Sequence, residues 1–562
     1  MQRNLEKLEQ ATFDLVIIGG GITGACLAAD AALRGLSVAL VEKSDFGAAT
    51  SSASSKLLHG GIRYLQQLNF AKVRESAKER MYFQQLAPHL TYYIPFIIPT
   101  YKKFSKSKLV MKAAMVLYQA TCTGQDRILS DPSKKLPTSH FLSRQEVIDA
   151  VPDLEPDEIT GGVVFYECHM FSSERMTLAF LETAHRHGAN IANYLAVESF
   201  LEARKGCISG VKVRDLLGGD AFDIRARLVV NAAGPWIPLL NHNIGQEKNV
   251  EGVVNAYSKG AHIITRQLTQ GHAVALPTQK QNQAVINRGG RHVFIIPWRG
   301  YSLIGTTYKS YDGALDDICT TEIDIDEMLS DINSAMGKDV LQREDVLHAY
   351  VGIYPLIDDV INTNVYQGTG EYQIIDHAET DSLDGLVSVF GAKFTTARLL
   401  AEKALDKITP RLNKPSGPCA TRNARLNSGN IDDIAFFRSE QCARYSAILP
   451  DKIIINLVTN YGTDIHRVMS LIESDNTLAQ ELLPGRLVVA AEVIYSVRNE
   501  MACHLDDFIF RRTGLGTLGN PGKEVLQYCA NLMGEELGWS QHRKNKEVAQ
   551  TLKAFPANGH SS

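Results

Sequence analysis

The feature that most constrains the fold is a glycine-rich turn close to the start of the chain. Its glycines are Gly19, Gly21 and Gly24. The turn lies between an apolar run, Phe13 to Ile18, and an Ala-rich stretch typical of a helix, and a second apolar run ends in Glu42, 18 residues after the last glycine. This pattern predicts a βαβ unit in which amides at the helix N-terminus meet a pyrophosphate and Glu42 accepts hydrogen bonds from a ribose. The sequence therefore predicts a dinucleotide-binding domain.

Length and composition exclude several other classes of protein. A chain of 562 residues is too long for one hydrophobic core, so we expect two or three domains. A formal net charge of -4 gives no global attraction for nucleic acid, and the nine scattered Cys are typical of a reducing compartment. No spacing predicts a metal site, no secretory signal is evident, and no window has the ~20 apolar residues of a membrane span. We expect a cytoplasmic protein without a metal and without a nucleic-acid partner.

Two later segments indicate which dinucleotide is bound. An apolar strand, Leu228 to Val230, leads into Asn231-Ala-Ala-Gly234, and another, Leu386 to Phe390, leads into Gly391. Segments so far from the first glycine turn imply a nucleotide domain assembled from separate parts of the chain, which compact nicotinamide-binding domains rarely are. Gly391 also opens a predicted helix, whose N-terminus would face the negative charge of a reduced flavin. These positions favour FAD.

The remaining patterns predict an α/β fold with three parts. Residues 62–86 are predicted to form one long helix, residues 194–231 a meander of strands, and residues 251–310 a second, largely antiparallel sheet. Beyond Pro415 helical periodicity dominates. We therefore predict a Rossmann-like FAD-binding domain from discontinuous segments, a mixed or antiparallel β-sheet substrate domain and a C-terminal α-helical domain. The predicted ranges are 12–65, 155–250 and 345–412 for the FAD-binding domain, 66–154 and 251–344 for the substrate (cap) domain, 415–555 for the helical domain, and 556–562 for a flexible tail.

Several motifs are shared with one family of flavoproteins. They are Val16-Ile-Ile-Gly-Gly-Gly-Ile-Thr-Gly24, Ala49-Thr-Ser-Ser-Ala-Ser-Ser-Lys-Leu-Leu-His-Gly-Gly-Ile-Arg-Tyr64, Val230-Asn-Ala-Ala-Gly-Pro-Trp236, Lys259-Gly-Ala-His262, Ile296-Pro-Trp298, Ile304-Gly-Thr-Thr307 and Val389-Phe-Gly-Ala-Lys-Phe-Thr-Thr396. With these motifs the chain resembles the FAD-dependent glycerol-3-phosphate dehydrogenases and oxidases, which are among the D-amino-acid-oxidase-like flavoproteins. Residues 498–514 resemble the helical extension of that family.

The resemblance implies a reaction and a set of site residues. The reaction is oxidation of sn-glycerol 3-phosphate, or a close polyol phosphate, to the ketone by hydride transfer to flavin N5, with loss of the hydroxyl proton. His262 is the candidate base, although a lone His on a strand is more often structural. Arg63 and Tyr64 would present a guanidinium and a phenol to the substrate, and Lys393 would lie near the flavin. The implied cofactor-binding residues are Gly19, Gly21, Gly24, Glu42, Thr50, Ser51, Ser55, Gly234, Gly391 and Thr395.

The sequence departs from the family at two substrate-site positions. Tyr354 stands where the family has an arginine in Gly-Val-Arg-Pro, and Gly370 stands near the place of a second arginine. Each lost partner of a phosphate would cost on the order of 1.5 to 3 kcal/mol, or roughly tenfold to a hundredfold in affinity. Tyr354 could donate its hydroxyl instead, and the charge could come from Arg63, Lys393 or Arg398.

These departures leave other functions open. One alternative is a related flavoenzyme that oxidises a non-phosphorylated 2-hydroxy acid, polyol or amine. Another is a flavin-binding module without turnover. The C-terminal helices could form a homodimer or brace the substrate domain.

A basic stretch, Tyr101 to Lys112, bears on the electron acceptor. It carries five Lys and no acidic residue, and it leads into Met115, Val116 and Tyr118. Such a stretch could rest on anionic lipid headgroups with these apolar side chains in the interface, which would bring the flavin near membrane quinone. It could equally be a solvated face. In the first interpretation the protein is peripheral on the cytoplasmic membrane face and quinone accepts the electrons.

Overall fold

The computed structural model describes most of the chain. The described residues are 1–65, 68–102, 108–155, 157–242, 244, 256–277, 292–356, 372–391, 393–412 and 414–555, without the side chains of residues 63, 108–110, 113, 125 and 354–356. Gly370, residues 103–107 of the basic stretch and the tail 556–562 therefore lie outside the described residues.

The described residues form eighteen strands. In chain order, β1 to β18 are Thr12–Ile18, Val38–Val41, Leu57–Leu58, Thr91–Tyr101, His140–Leu142, Ile159–Met170, Asn190–Ala192, Leu195–Arg204, Cys207–Asp215, Ala221–Asn231, Ala256–Thr265, Ala273–Pro277, His292–Trp298, Tyr301–Gly305, Lys309–Ser310, Val346–Leu356, Gln373–Asp376 and Leu386–Phe390.

Seventeen α-helices lie in the same described ranges. In chain order, α1 to α17 are Leu5–Gln10, Ile22–Leu33, Ile62–Leu65, Phe70–Leu86, Lys108–Cys122, Arg144–Ala150, Ser173–Arg186, Ile237–His242, Glu322–Met336, His377–Thr380, Ala397–Ile408, Ile434–Tyr445, Asp451–Tyr461, Ile465–Ser474, Ala490–Glu500, Lys523–Leu537 and Gln541–Lys553. A π-helical segment, Asp507–Arg512, follows α15.

The first sheet is the predicted nucleotide-binding sheet. Its order is β17-β18-β10-β1-β2-β7, and β8 and β9 extend it from β10. β1 pairs in parallel with β2 and β10, and β10 pairs in parallel with β18. Helices α2, α7 and α11 pack together in the core beside this sheet, which explains the near-continuous apolar runs of its strands. Because parallel strands end at the same edge, the turns after β1, β10 and β18 lie side by side, as predicted.

The second sheet is largely antiparallel, as predicted. Its order is β15-β11-β14-β13-β12-β4-β6-β3, with β16 paired to β11 and β5 paired to β6. The exception is the parallel pair β12 and β4. One face of the sheet buries an apolar core that includes residues of α6 and α9.

The predicted helix over residues 62–86 is divided into α3 and α4. Leu68 adopts a left-handed φ of 54°, which interrupts a helix. Asn69 then caps α4, because its side chain accepts a hydrogen bond from the Lys72 amide at 3.1 Å. The prediction of one continuous helix is wrong because these local conformations start a new one.

The pairing of β4 with β6 was not predicted. Pro95 and Pro99 lie inside β4, and proline usually argues against a strand interior because it donates no hydrogen bond. β6 falls within residues 155–250, which were predicted for the FAD-binding domain, yet it pairs with strands of the second sheet. β3 and β16 likewise join the second sheet from predicted FAD-binding ranges. The other domain limits stay predictions.

Between residues 415 and 555 the chain is largely helical, as predicted. Helices α12 to α17 share an apolar core that is separate from the cores of the two sheets. None of the helices in the described ranges is both long and apolar enough to cross a membrane.

Candidate active site

The three glycine turns meet at the carboxyl edge of the first sheet. Gly19 has a φ of 106°, and a Cβ on it would lie 2.7 Å from the Ala232 carbonyl oxygen of the second turn. A Cβ on Gly391 would lie 2.6 Å from the Thr23 hydroxyl at the start of α2. Gly234, with a left-handed φ of 54°, has open space where its Cβ would be. A glycine at position 19 therefore allows the first two turns to approach each other, and one at position 391 allows the third turn to approach α2.

The start of α2 and Glu42 are held by short polar contacts. Ser51 Oγ accepts a hydrogen bond from the Ile22 amide at 2.9 Å, at the N-terminus of α2. The Glu42 carboxylate accepts from the amides of Gly20 at 2.6 Å and Ser44 at 2.8 Å. Burial raises the pKa of Glu42. A carboxylate has about four acceptor positions, so Glu42 can fix the turn and still accept from a ribose.

The Ser-rich segment, residues 49–64, connects the glycine turns to the second sheet. Thr50 Oγ1 donates to the Ile353 carbonyl of β16 at 2.9 Å. Ser55 Oγ lies 3.0 Å from His262 Nε2 on β11, and Thr395 Oγ1 accepts from the His59 amide at 3.1 Å. The predicted residues of this segment are therefore brought together with His262 and with the segment after Gly391.

His262 is buried on β11, and one of its ring nitrogens has no hydrogen-bond partner among the residues that the structure describes. Its ring stacks on Tyr350 with centroids 5.1 Å apart, and it occupies the space where a Cβ of Gly305 would be. Within the described part of the chain Nδ1 has no hydrogen-bond partner. Burial lowers the pKa of His262 to about 3, and the charge of Lys56 acts in the same direction. The imidazole is therefore neutral, which is the form that accepts a proton.

A buried ion pair below the Ser-rich segment was missed by the sequence interpretation. Lys56 Nζ lies 2.8 and 2.9 Å from the two carboxylate oxygens of Glu174. It also lies 5.5 Å from the centre of the Trp298 ring and 5.9 Å from that of Tyr350. The sequence does contain an indication of this pair, because Lys56 directly precedes the apolar strand β3. A lysine buried at such a position needs an acidic partner.

The Ser-rich segment has two further anchors that were not predicted. Tyr350 Oη donates to the Ser54 carbonyl at 2.8 Å. His169 Nε2 lies 3.2 Å from the Ser55 carbonyl oxygen, and its Nδ1 lies 2.6 Å from the Tyr92 hydroxyl. The backbone beside His262 is thus fixed from several strands.

Two of the predicted substrate residues are in contact. Lys393 Nζ lies 4.0 Å from the centre of the Tyr64 ring, a distance at which an ammonium is attracted to an aromatic face. The side chains of Arg63 and Tyr354 lie outside the described part of the structure, as does Gly370, so what the sequence predicts for them stays a prediction.

Arg398 cannot supply the missing charge. It is buried, and its guanidinium donates to both carboxylate oxygens of Glu79 at 2.7 and 2.6 Å and to Glu402 at 2.8 Å. The proposal that Arg398 compensates for a lost arginine is therefore wrong, because its charge is already neutralised inside the protein.

Comparisons with known proteins identify the family. A family model described as FAD dependent oxidoreductase matches residues 14–404, and one described as the C-terminal domain of alpha-glycerophosphate oxidase matches residues 419–544. The glycerol-3-phosphate dehydrogenase of Synechocystis sp. is 31% identical over 558 residues, covering 97% of both chains. The chain belongs to the FAD-dependent glycerol-3-phosphate dehydrogenase and oxidase family.

Two further relatives have similar coverage. The aerobic glycerol-3-phosphate dehydrogenase of Staphylococcus epidermidis is 30% identical over 553 residues, which cover 96% of this chain and 93% of the relative. A solved structure of the glycerol-3-phosphate dehydrogenase of Bacillus halodurans, complexed with FAD, has a TM-score of 0.76 at 26% identity. It covers 98% of this chain and 95% of that chain. The similarity therefore extends through the C-terminal helices.

The residues present fit FAD, which is the cofactor of this family. Gly19 allows the first two turns to come close together, Gly391 allows the third turn to approach the start of α2, and Gly234 has open space at its Cβ position among the described residues. The amides at the start of α2 and the Glu42 carboxylate supply the groups that a pyrophosphate and a ribose need. The prediction of FAD is confirmed, while the contact of each individual residue with FAD stays a prediction.

Proposed function

We propose that this enzyme oxidises sn-glycerol 3-phosphate to dihydroxyacetone phosphate and that its electrons pass to quinone. The observation that carries the proposal is the position of the neutral His262. Its Nε2 lies 3.0 Å from Ser55 Oγ of the Ser-rich segment, and its buried Nδ1 has no hydrogen-bond partner among the described residues. The names of the relatives, which align with nearly the whole chain, support the substrate.

The chain's own residues would accept the hydroxyl proton of the substrate and bind its charged phosphate. FAD, when bound, supplies the acceptor of a hydride from the substrate carbon. If Nε2–H of His262 donates to Ser55 Oγ, Nδ1 is the bare acceptor for the hydroxyl proton. Because burial lowers the pKa of His262, its imidazole is not already protonated when the substrate arrives. Lys393, placed against the Tyr64 ring, would attract the phosphate.

An anaerobic reduction experiment tests the proposal. The flavin band near roughly 450 nm is recorded, and glycerol 3-phosphate is added without oxygen. Bleaching within seconds supports the proposed reaction. Bleaching by a 2-hydroxy acid, a non-phosphorylated polyol or an amine, but not by glycerol 3-phosphate, would contradict it and support the related flavoenzyme. No bleaching by any of these donors would favour the module without turnover.

We predict that Tyr354→Arg tightens the binding of glycerol 3-phosphate. A guanidinium at this position would restore the charge that the family places there, so KM should fall by roughly tenfold to a hundredfold. Tyr354→Phe is the matched control, because it removes only the hydroxyl. If the arginine variant binds no better and the phenylalanine variant binds more weakly, Tyr354 already serves the phosphate through its hydroxyl.

A peripheral membrane position would give the flavin access to quinone. In α5 Met115 and Tyr118 are buried against the protein, so the expectation that they enter a lipid interface is wrong. Val116 and Leu117, with 59% and 40% of their surface exposed, are the apolar side chains that could do so. Lys112, which is also exposed, would lie near the headgroups.

We predict that the protein binds vesicles containing anionic lipid at low salt and is released at high salt. Screening weakens the attraction between lysines and headgroups, whereas apolar insertion is less affected. Val116→Ser with Leu117→Ser should reduce binding, measured by sedimentation with the vesicles. The matched control is Leu216→Ser with Leu217→Ser, two leucines that are 51% and 41% exposed elsewhere. A protein that stays in the supernatant at low salt would contradict the quinone assignment.

A further inference from the structure

The segment after Glu42 supports the first glycine turn. The Gly47 amide donates to the Gly20 carbonyl at 3.0 Å. Phe46 is buried against the same glycine, where a Cβ on Gly20 would lie 2.8 Å from the Phe46 ring. Residues 42–51 therefore form the base on which the turn and the start of α2 rest.

Asp45 lies in the middle of this base and is bound by the C-terminal domain. Its carboxylate accepts from Arg512 at 2.7 and 2.8 Å and from Arg511 at 2.5 Å. Asn193 of the first domain donates to it at 3.1 Å. The side chains of Asp45 and Arg512 are completely buried. The two arginines end the π-helical segment, so a distant part of the chain reaches the cofactor-binding base.

The surrounding groups balance the charges of this cluster. Arg511 also donates to Asp507 at 2.5 Å, and Asp507 accepts from Tyr194 at 2.6 Å. Arg512 donates to the Glu500 carbonyl at 2.8 Å. Burial alone would raise the pKa of Asp45, but the two arginines lower it well below its ordinary value. The cluster is therefore ionised, and each carboxylate oxygen of Asp45 accepts two hydrogen bonds, as a rigid connection requires.

We propose that Arg511 and Arg512 are positioning residues for FAD. Through Asp45 they hold residues 42–51 in the conformation in which Glu42 and Ser51 support the glycine turn. Loss of one partner would leave a buried charge uncompensated. We expect residues 42–51 to move so that this charge reaches water, and this movement would withdraw their support from the glycine turn. The C-terminal domain would accordingly be needed to retain FAD, whichever substrate the enzyme oxidises.

The experiment compares two variants that each remove one charge from an ionic contact between the C-terminal helices and the first domain. Asp45→Asn weakens the proposed connection. Asp464→Asn is the matched control, because Asp464 accepts from Arg186 of α7 at 2.8 Å and is remote from the glycine turn in sequence. FAD is removed, and its dissociation constant is measured by flavin fluorescence. We expect at least about a tenfold increase for Asp45→Asn and a change within about twofold for Asp464→Asn.

A second readout separates positioning from general stability. The stabilisation of the apoprotein by added FAD, measured as a shift in Tm, should shrink in Asp45→Asn and stay unchanged in Asp464→Asn. If Asp45→Asn does not fold, Arg511→Lys is used, since it keeps the charge and loses only the geometry of the guanidinium. The proposal would be overturned if Asp45→Asn, or Arg511→Lys in its place, bound FAD as tightly as the wild type. It would also be overturned if that variant and Asp464→Asn lost FAD affinity equally. These measurements need no substrate, so they stand apart from the proposed reaction.

Discussion

Gly24→Ala is expected to yield a colourless protein. A Cβ at this position would overlap the carbonyl oxygen of Gly19, which is backbone and cannot rotate away. Either the first turn or α2 must move, and both are packed in the core of the first sheet. The amides at the start of α2 would then no longer converge on a pyrophosphate. We expect the affinity for FAD to fall by more than about a hundredfold.

The ratio of flavin absorbance to protein absorbance after purification measures this effect directly. Gly21→Ala should be milder, because its Cβ would lie 3.1 Å from the Ser51 hydroxyl, a side-chain atom that needs to shift by only a few tenths of an ångström. Gly417→Ala is the control, since its Cβ would meet only ordinary contacts at 3.8 Å or more. A yellow Gly24→Ala protein with the FAD content of the wild type would contradict the role assigned to this turn.

The sequence predicted those parts of the fold whose signals are local. The first βαβ unit could be recognised because Gly19 to Gly24, the helix and Glu42 lie within one short segment. The turns that contain Gly234 and Gly391 could also be assigned to this domain, because each comes directly after an apolar strand, β10 or β18, of the parallel part of the sheet. β4 was not predicted because its two prolines disfavour a strand when the segment is considered alone. Its long antiparallel pairing with β6 compensates for them, and this pairing is not visible in the sequence.

The partners within the site could not be predicted from spacing. Ser55 and His262 are 207 residues apart, and Lys56 and Glu174 are 118 residues apart. Nothing in a single sequence says which of many acidic residues a buried lysine meets. The resemblance to a family predicted a role for His262. Its contacts with Tyr350 and Gly305 could not be predicted, because they depend on the antiparallel register of β11 with β14 and β16.

Substitution of His262 by asparagine tests whether the imidazole accepts the substrate proton. Asparagine keeps a polar side chain of similar reach but cannot take a proton at neutral pH, so the rate constant of flavin reduction should fall by about 10²–10⁴-fold. The apparent Kd of glycerol 3-phosphate should change much less, because the proposed binding of the phosphate rests on Lys393. Anaerobic stopped-flow measurement of bleaching by glycerol 3-phosphate gives both quantities.

The control and the pH dependence make this test specific. His348, on the neighbouring strand β16, is also buried. Its Nδ1 has no hydrogen-bond partner in the described structure and burial lowers its pKa to about 4, but its ring stacks on Phe510 with centroids 5.5 Å apart. His348→Asn should retain the wild-type rate constant. Because burial lowers the pKa of His262 to about 3, the imidazole stays neutral as the pH falls through its ordinary value. The wild-type reduction rate should therefore show no loss centred near about pH 6.5, whereas a base with an ordinary histidine pKa would lose activity there. Equal losses in the two variants would mean that His262 acts only through packing.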